Sequence, residues 1–477
     1  MVDTKEKTVR TTRATMDAVV SNLLPIMRVI GEDHRWTMAE RLAAYLVPGV
    51  SVAVIEGGEV SWAAGFGVRE QGGMAAVDQD TVFMGASTSK PVTAFLILQH
   101  VERGLLDLDV DINRYLKRWH LKENEFTRDY PVTLRACLSH RAGLTVNGWP
   151  VAFHGKPVAN LIDLLEGHPV SGMRPVFVDK TPGGSERYSG GGYALAEMLL
   201  EDVTGRSFDS LADELIFQPL GMRHTTFSNP LPERFHGNVA SGHDATGKLQ
   251  SGGWAVSPDM GAGGIFTTAA DYARFMVGCR NAFLGRKGAL LRRDLAQQMF
   301  TRQGSGTFGL GWRVVGDGSA RRMNHGGSND GYQSETNLYF ESGDGAAVFT
   351  NAVPGILLYC EIHNAVADLH GWPDFMPAPK RCQPVPESEH WRYVGQYSIV
   401  SGVEIPFLRV YAEDGVLKSE IEGMRVVGQP LFIDDAGMLF SRAARHETYV
   451  CYGRDGRALQ LTAMEGEGNV VLRAARK

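Results

Sequence analysis

Strand-like runs stand at the two ends of a long stretch that reads as helix and loop. Gly49–Glu56 (GVSVAVIE) is rich in β-branched residues, Gly57-Gly58 follows, and Glu59–Val68 (EVSWAAGFGV) resumes the pattern. Two such runs around a Gly-Gly pair predict a β-hairpin. Thr336–Phe340 (TNLYF) and Ala346–Thr350 (AAVFT) flank the turn ESGDG and predict a second. Between 88 and 310 the pattern is mainly helical. Such a chain has few ways to bury its apolar strand faces. The economical one is a single antiparallel sheet assembled from both ends, flanked by helices, with a helical domain inserted between them. That is an α+β arrangement. Pro354–Gly371 adds a further helix, with Ile356, Leu357, Cys360, Val366 and Leu369 near one face.

Composition removes several classes of function. The chain has 477 residues, with Lys+Arg 48 against Asp+Glu 54, a formal charge of −6. No strongly basic face for nucleic acid is expected from that balance. No run reaches the ~18 consecutive apolar residues of a membrane span. Asn22–Ile30, interrupted by Pro25 and Arg28, makes a poor signal-peptide core. Five cysteines, at 137, 279, 360, 382 and 451, are scattered without a Cys-x-x-Cys pair. Reduced thiols and a cytoplasmic protein are the expectation. The histidines, His236 and His243 among them, lack metal-ligand spacing. Neither a metal nor a cofactor is therefore expected, and the partner is a small-molecule or peptide substrate.

Trp372–His390 carries five prolines in nineteen residues. That density suits a stiff linker. Beyond it, strand candidates recur at Tyr393–Ile399, Leu408–Ala412, Val416–Ile421, Met438–Arg442, Thr448–Tyr452 and Leu459–Ala463, a spacing that suggests a small sandwich or barrel. The expected division is 1–376 for the catalytic part, 377–390 for the linker and 391–477 for an all-β domain. Such a joint implies that the two parts are separable.

Three motifs carry chemistry. The first is Ser87-Thr88-Ser89-Lys90 at the start of an apolar helix (Phe95, Leu96, Leu98, Val101). Ser-x-x-Lys sets a hydroxyl and an amine one helical turn apart. A desolvated lysine loses its proton more readily and becomes a base. The second is Arg187-Tyr188-Ser189-Gly190-Gly191-Gly192-Tyr193, a loop–helix junction that can project a phenol into a cleft. The third is Met323-Asn324-His325-Gly326-Gly327-Ser328, where glycines let a substrate approach an edge strand. Each alone also fits a bland reading: a Ser-capped helix, a packing tyrosine, a structural histidine.

Together and in this order they resemble one family, the penicillin-recognising serine hydrolases. These comprise class C β-lactamases, DD-peptidases, D-aminopeptidases and related esterases. Leu138–Leu144 (LSHRAGL), Phe217–Met222 (FQPLGM), Gly263–Thr268 (GGIFTT) and Phe308–Trp312 (FGLGW) resemble the same family. The resemblance covers about residues 30–370. It implies a β-lactamase/transpeptidase-like fold, with Ser87 as the acylated nucleophile and Lys90 taking or relaying its proton. Tyr188 would be the partner base. The backbone N–H groups of Ser87 and Ser328 would stabilise an oxyanion. His325, followed by Gly326 and Gly327, takes the place of the lysine in the family's Lys-Thr-Gly triplet. Asn147 falls where class C enzymes carry a side-chain amide facing the substrate. The family's middle motif is usually Tyr-x-Asn, whereas here Gly190 stands third. Esters or D-residue amides are therefore expected ahead of β-lactams. The segment after the linker resembles the lipocalin-like barrels appended to long members. An acyltransferase or peptide cyclase of the same fold, or a slowly acylating sensor, is the alternative.

Overall fold

The computed structural model describes residues 15–167, 174–402, 407–421, 428–443, 447–465 and 469–477. The chain divides into two compact units, one of residues 48–244 and 249–355, the other of 1–47, 245–248 and 356–477.

The first unit contains the sheet expected from the two ends of the chain. Its six strands run in the order 59–67, 49–56, 345–350, 332–339, 322–329, 313–315. The neighbours pair antiparallel. The first hairpin turns on Gly57 and Gly58, both with positive φ (59° and 87°), because Glu56 pairs directly with Glu59. A two-residue turn that follows the twist of its strands needs that left-handed backbone. Strand Gly49–Glu56 is buried along almost its whole length, as a central strand must be. The helical stretch begins with Ser89–Glu102, and every residue from Ser89 to His100 is buried. A helix with no solvent face is a core helix. Helices Gly190–Thr204 and Ala269–Leu284 pack in the same apolar core.

The second unit holds a closed eight-stranded antiparallel barrel formed by strands between 395 and 476, with Cys382–Pro384 added outside strand Gln429–Asp434. Two of these strands, Gln429–Asp434 and Asn469–Arg476, went unmarked in the sequence pattern. Residues 15–47 and 356–376, assigned by sequence to the catalytic part, group with the barrel strands. The physical reason is a set of contacts between residues far apart in the sequence. Ile30 N–H donates to the Lys380 carbonyl at 2.8 Å, Lys380 N–H to the Arg28 carbonyl at 2.9 Å, and Met27 N–H to the Arg442 carbonyl at 3.1 Å. Met27 and Val29 share an apolar cluster with Phe432 and Phe440. Helix Met38–Tyr45, begun by a Thr37/Glu40 capping box, is clamped to helix Gly355–His370. Arg41 Nε and Nη2 each donate to a Glu361 oxygen at 2.7 Å, and the Tyr45 hydroxyl donates to the same carboxylate at 2.6 Å. The Pro-rich segment is thus stitched to the N-terminal run at Lys380. Among the described residues, no helix is long and apolar enough to cross a membrane.

A chain ending at Pro377 loses Lys380, Phe432, Phe440 and Arg442. Uncovering Met27 and Val29 then costs roughly 3–6 kcal/mol of burial, a large share of a domain's stability. Expression of residues 1–377 should yield aggregated protein by sedimentation, whereas a soluble, cooperatively melting fragment would show that the N-terminal run does not depend on the barrel.

Candidate active site

Ser87 occupies the turn between strand Phe83–Ala86 and helix Ser89–Glu102, two residues ahead of the helix rather than on it. Ala86, just before it, has φ of 51°, a left-handed conformation uncommon for a residue with a Cβ. Within residues 81–100, Ser87 alone escapes full burial. The turn therefore delivers one hydroxyl to the surface of an otherwise closed core.

Lys90 is 2% exposed. Its Nζ donates to Ser87 Oγ at 3.0 Å and to the Ala262 carbonyl at 2.7 Å. It also lies 5.0 Å from the centre of the Tyr188 ring and 5.6 Å from that of Tyr193. The Ala262 carbonyl is held by several ties. Gly261 N–H donates to Glu197 at 2.7 Å, Thr93 Oγ1 to the Gly261 carbonyl at 2.7 Å, and Ile265 N–H to Ser89 Oγ at 2.9 Å. Asp259, buried and bonded to the Ser257 hydroxyl, lies in the same turn. Burial pushes its pKa up to about 6, although the Lys90 charge pulls the other way. Burial likewise holds Glu197 well above the usual carboxylate range.

Tyr188 lies in the loop before helix Gly190–Thr204. Its ring stacks on His140 at 4.1 Å with 29° between planes. The Phe308 ring lies nearly perpendicular to His140 with 4.6 Å between centres, and the His325 ring centre lies 6.4 Å from that of Tyr188 and 5.9 Å from that of Phe308. Ser87, Lys90, Tyr188 and His325 are therefore brought into one neighbourhood. His325 Nδ1 faces the Gly326 carbonyl at 2.7 Å, so Nδ1 carries the proton and Nε2 offers a lone pair. Burial, then the charge of Lys90, drive the His325 pKa down to about 3. His140 is driven well below its ordinary value by burial, and further by Lys90, His325 and Arg313.

Strand Arg322–Asn329 carries His325, Gly326, Gly327 and Ser328. On one side it pairs with Tyr332–Tyr339 along its length. On the other, Arg313–Val315 covers only Arg322–Asn324, which leaves an open edge from His325 onward. Gly327 is required by close approach: an added Cβ would fall 2.0 Å from the Gly85 carbonyl oxygen. The strand can thus press against the residue two places before Ser87, and Ser334 Oγ seals the contact by donating to the same carbonyl at 3.0 Å. Ser328 is exposed, its hydroxyl accepting from Gln333 at 2.9 Å. Asn147 is exposed as well. Its backbone rather than its amide makes the local tie, the carbonyl accepting from Gly190 N–H at 2.7 Å. Gly190 has an ordinary φ, yet a Cβ there would meet that carbonyl oxygen at 2.8 Å. An asparagine at 190 is obstructed by the Asn147 backbone.

Residues 35–369 match the family model described as Beta-lactamase. The chain belongs to the beta-lactamase family. Among curated members, penicillin-binding protein 4* of Bacillus subtilis is 24% identical over 91% of this chain and 94% of its own. The unguisins hydrolase ungD of Aspergillus violaceofuscus is 28% identical over 51% of this chain, and the match spans 44% of that protein's length. Other curated relatives are named as carboxypeptidases and esterases, so this beta-lactamase family chain is a hydrolase by kinship. The octameric penicillin-binding protein homologue from Pyrococcus abyssi shares the fold, with TM-score 0.62 and 21% identity over 92% of this chain and 98% of that one.

Sequence reasoning passed over four residues of this beta-lactamase family site. His140 stood inside the quoted Leu138–Leu144 stretch, and Phe308 opened another. Asp259 and Arg313 each lay just outside one. Arg313 is exposed, 5.2 Å from the Phe308 ring centre, with no carboxylate partner among the described residues.

The buried imidazole of His325 has a consequence for acid stability. Its folded pKa lies below that of a free histidine, so the unfolded chain takes up a proton that the folded chain refuses. The stability tied to this group is complete above about pH 6.5 and is lost as pH falls toward 3. Between pH 7 and pH 5, wild type should lose about 2 kcal/mol more than His325→Gln. Urea titrations of both proteins at the two pH values measure this, and equal losses would mean that His325 is not held neutral by burial.

Proposed function

We propose that the chain hydrolyses ester or amide bonds through an acyl-Ser87 intermediate, with D-residue peptides or amides and small esters as the substrate class. The observation that carries the reading is the buried Lys90 amine 3.0 Å from the Ser87 hydroxyl, which belongs to the one half-buried residue of this helix entry. Once the Lys90 ammonium has released its own proton, Ser87 Oγ attacks the carbonyl carbon while its proton passes to the Lys90 amine, relayed with Tyr188. The backbone N–H groups of Ser87 and Ser328 receive the developing oxyanion. Collapse breaks the carbonyl–leaving-group bond, and the proton returns to the departing nitrogen or oxygen. Water then attacks the acyl carbon, gives a proton back through the same groups and frees Ser87. The close seating of Gly327 against Gly85 supports the pairing of Ser328 with Ser87. His325, held neutral, is a buried hydrogen-bonding group beside the site rather than a cation.

A second cation beside the site is Arg313. Its charge is felt by both His140 and His325, and no described carboxylate neutralises it. A substrate carrying a carboxylate near the scissile bond is the complement. Arg313→Ala should therefore raise KM about ten-fold or more for a carboxylate-bearing D-aminoacyl amide, the worth of a charge-assisted hydrogen bond. Neutral p-nitrophenyl esters should be nearly unaffected. Parallel kinetics on the two donors decide the matter, and an equal change in both would remove Arg313 from recognition.

Intact-mass spectrometry with activated acyl donors tests the central step. Wild type should gain one acyl group, and Ser87→Ala should gain none and lose several orders of magnitude in turnover. Near-full ester hydrolysis by Ser87→Ala would end the proposal.

A further inference from the structure

His140 holds three consecutive residues of the Tyr188 loop. Its backbone carbonyl accepts from Arg187 N–H at 2.7 Å. Its ring lies against the ring of Tyr188, 4.1 Å between centres. Its Nδ1 accepts from Ser189 N–H at 3.1 Å. A backbone group and a ring of one residue can reach both ends of the same tripeptide because His140 has φ of 58°, a left-handed conformation uncommon outside glycine. A non-glycine residue held in this conformation against Tyr188 points to function there. The acceptor role of Nδ1 requires the neutral ring, the state that burial and the nearby charges of Lys90, His325 and Arg313 favour.

The far side of His140 is fixed in turn. The Phe308 ring packs nearly perpendicular to it, 4.6 Å between centres. The loop that carries Phe308 is tied to Glu186, two residues ahead of Tyr188. The Glu186 carboxylate accepts from Thr307 N–H at 2.6 Å, Thr307 Oγ1 at 3.0 Å and Phe308 N–H at 3.1 Å. Glu186, Phe308, His140 and Tyr188 thus close a ring of contacts around the phenol. Gly190, lacking a side chain, adds only its N–H bond to Asn147.

We propose that His140 is a positioning residue for acyl transfer, gripping residues 187–189 so that the Tyr188 phenol stays in register with Ser87 and Lys90. The inference rests on the reading of Tyr188 as the proton-exchanging partner of Ser87. Small misplacements of a catalytic group cost up to about 100-fold in rate. His140→Phe keeps a ring under Tyr188 but removes the acceptor for Ser189. It should lower kcat for a p-nitrophenyl ester by roughly 10- to 100-fold, with KM changed less than about threefold.

A double-mutant cycle on the full-length chain separates this role from general support of the fold. If His140 acts through Tyr188, adding His140→Phe to Tyr188→Phe should change the residual acylation rate by no more than about twofold. Equal losses in both backgrounds, or a His140→Phe enzyme with wild-type kcat, would overturn the inference. A Tyr188→Phe enzyme of full activity would instead sink the reading of Tyr188, and the positioning role with it. Melting curves accompany each variant. If His140→Phe is recovered unfolded, His140→Gln, whose amide oxygen can accept from Ser189 but offers no ring, enters the same cycle under the same criteria.

Discussion

A single amine out of water organises this cleft. Lys90 is closed off by the helix that bears it, by the rings of Tyr188 and Tyr193, and by the Ala262 carbonyl. An ammonium stripped of solvent must be compensated by hydrogen bonds or give up its proton. Much of the surrounding order serves that requirement. Thr93 and Ser89 on the same helix hold the turn that supplies Ala262, and Glu197 holds it from a second helix. The Tyr272 hydroxyl donates to the Thr88 carbonyl at 2.9 Å and so fixes the entry to the helix from a third.

The same dryness sets the character of the neighbouring groups. His140 and His325 both stay neutral because burial and the Lys90 charge oppose a second cation. Each Nε2 is buried without a partner among the described residues. Given the tautomers set by Ser189 and Gly326, one is a donor and the other an acceptor. Strand Arg322–Asn329 presents a neutral imidazole, and the positive charge that bears on it besides Lys90 is that of Arg313. Orientation then falls to backbone contacts. Gly327 permits the approach to Gly85, and His140 fixes the loop that bears Tyr188.

Much of this was legible in the chain because it is local. The Ser87–Lys90 spacing, the Gly57-Gly58 turn and the alternating strands at both ends report directly on one element each. Four strands of the six-stranded sheet follow from them, since two hairpins and a helical stretch leave few other ways to bury strand faces. The site was harder to read where one residue acts on another far away. Asp259 and Arg313 carry no motif of their own. His140 lay in a stretch noted for its likeness to the family, with no local sign that its ring would meet Tyr188.

The sequence by itself determined the periodicities, the turns and the pairing of a hydroxyl with an amine, because those depend on neighbours three or four residues apart. Only the tertiary structure decided which groups are dry and which partners meet them. The Lys90 amine meets a carbonyl 172 residues along the chain, and His140 Nδ1 meets an N–H 49 residues along. The N-terminal run belongs with the barrel for the same reason. Arg28 meets Lys380, and Met27 meets Phe432 and Phe440, contacts that no local pattern encodes. Desolvation is a property of packing, and packing is settled by segments that are distant in the sequence.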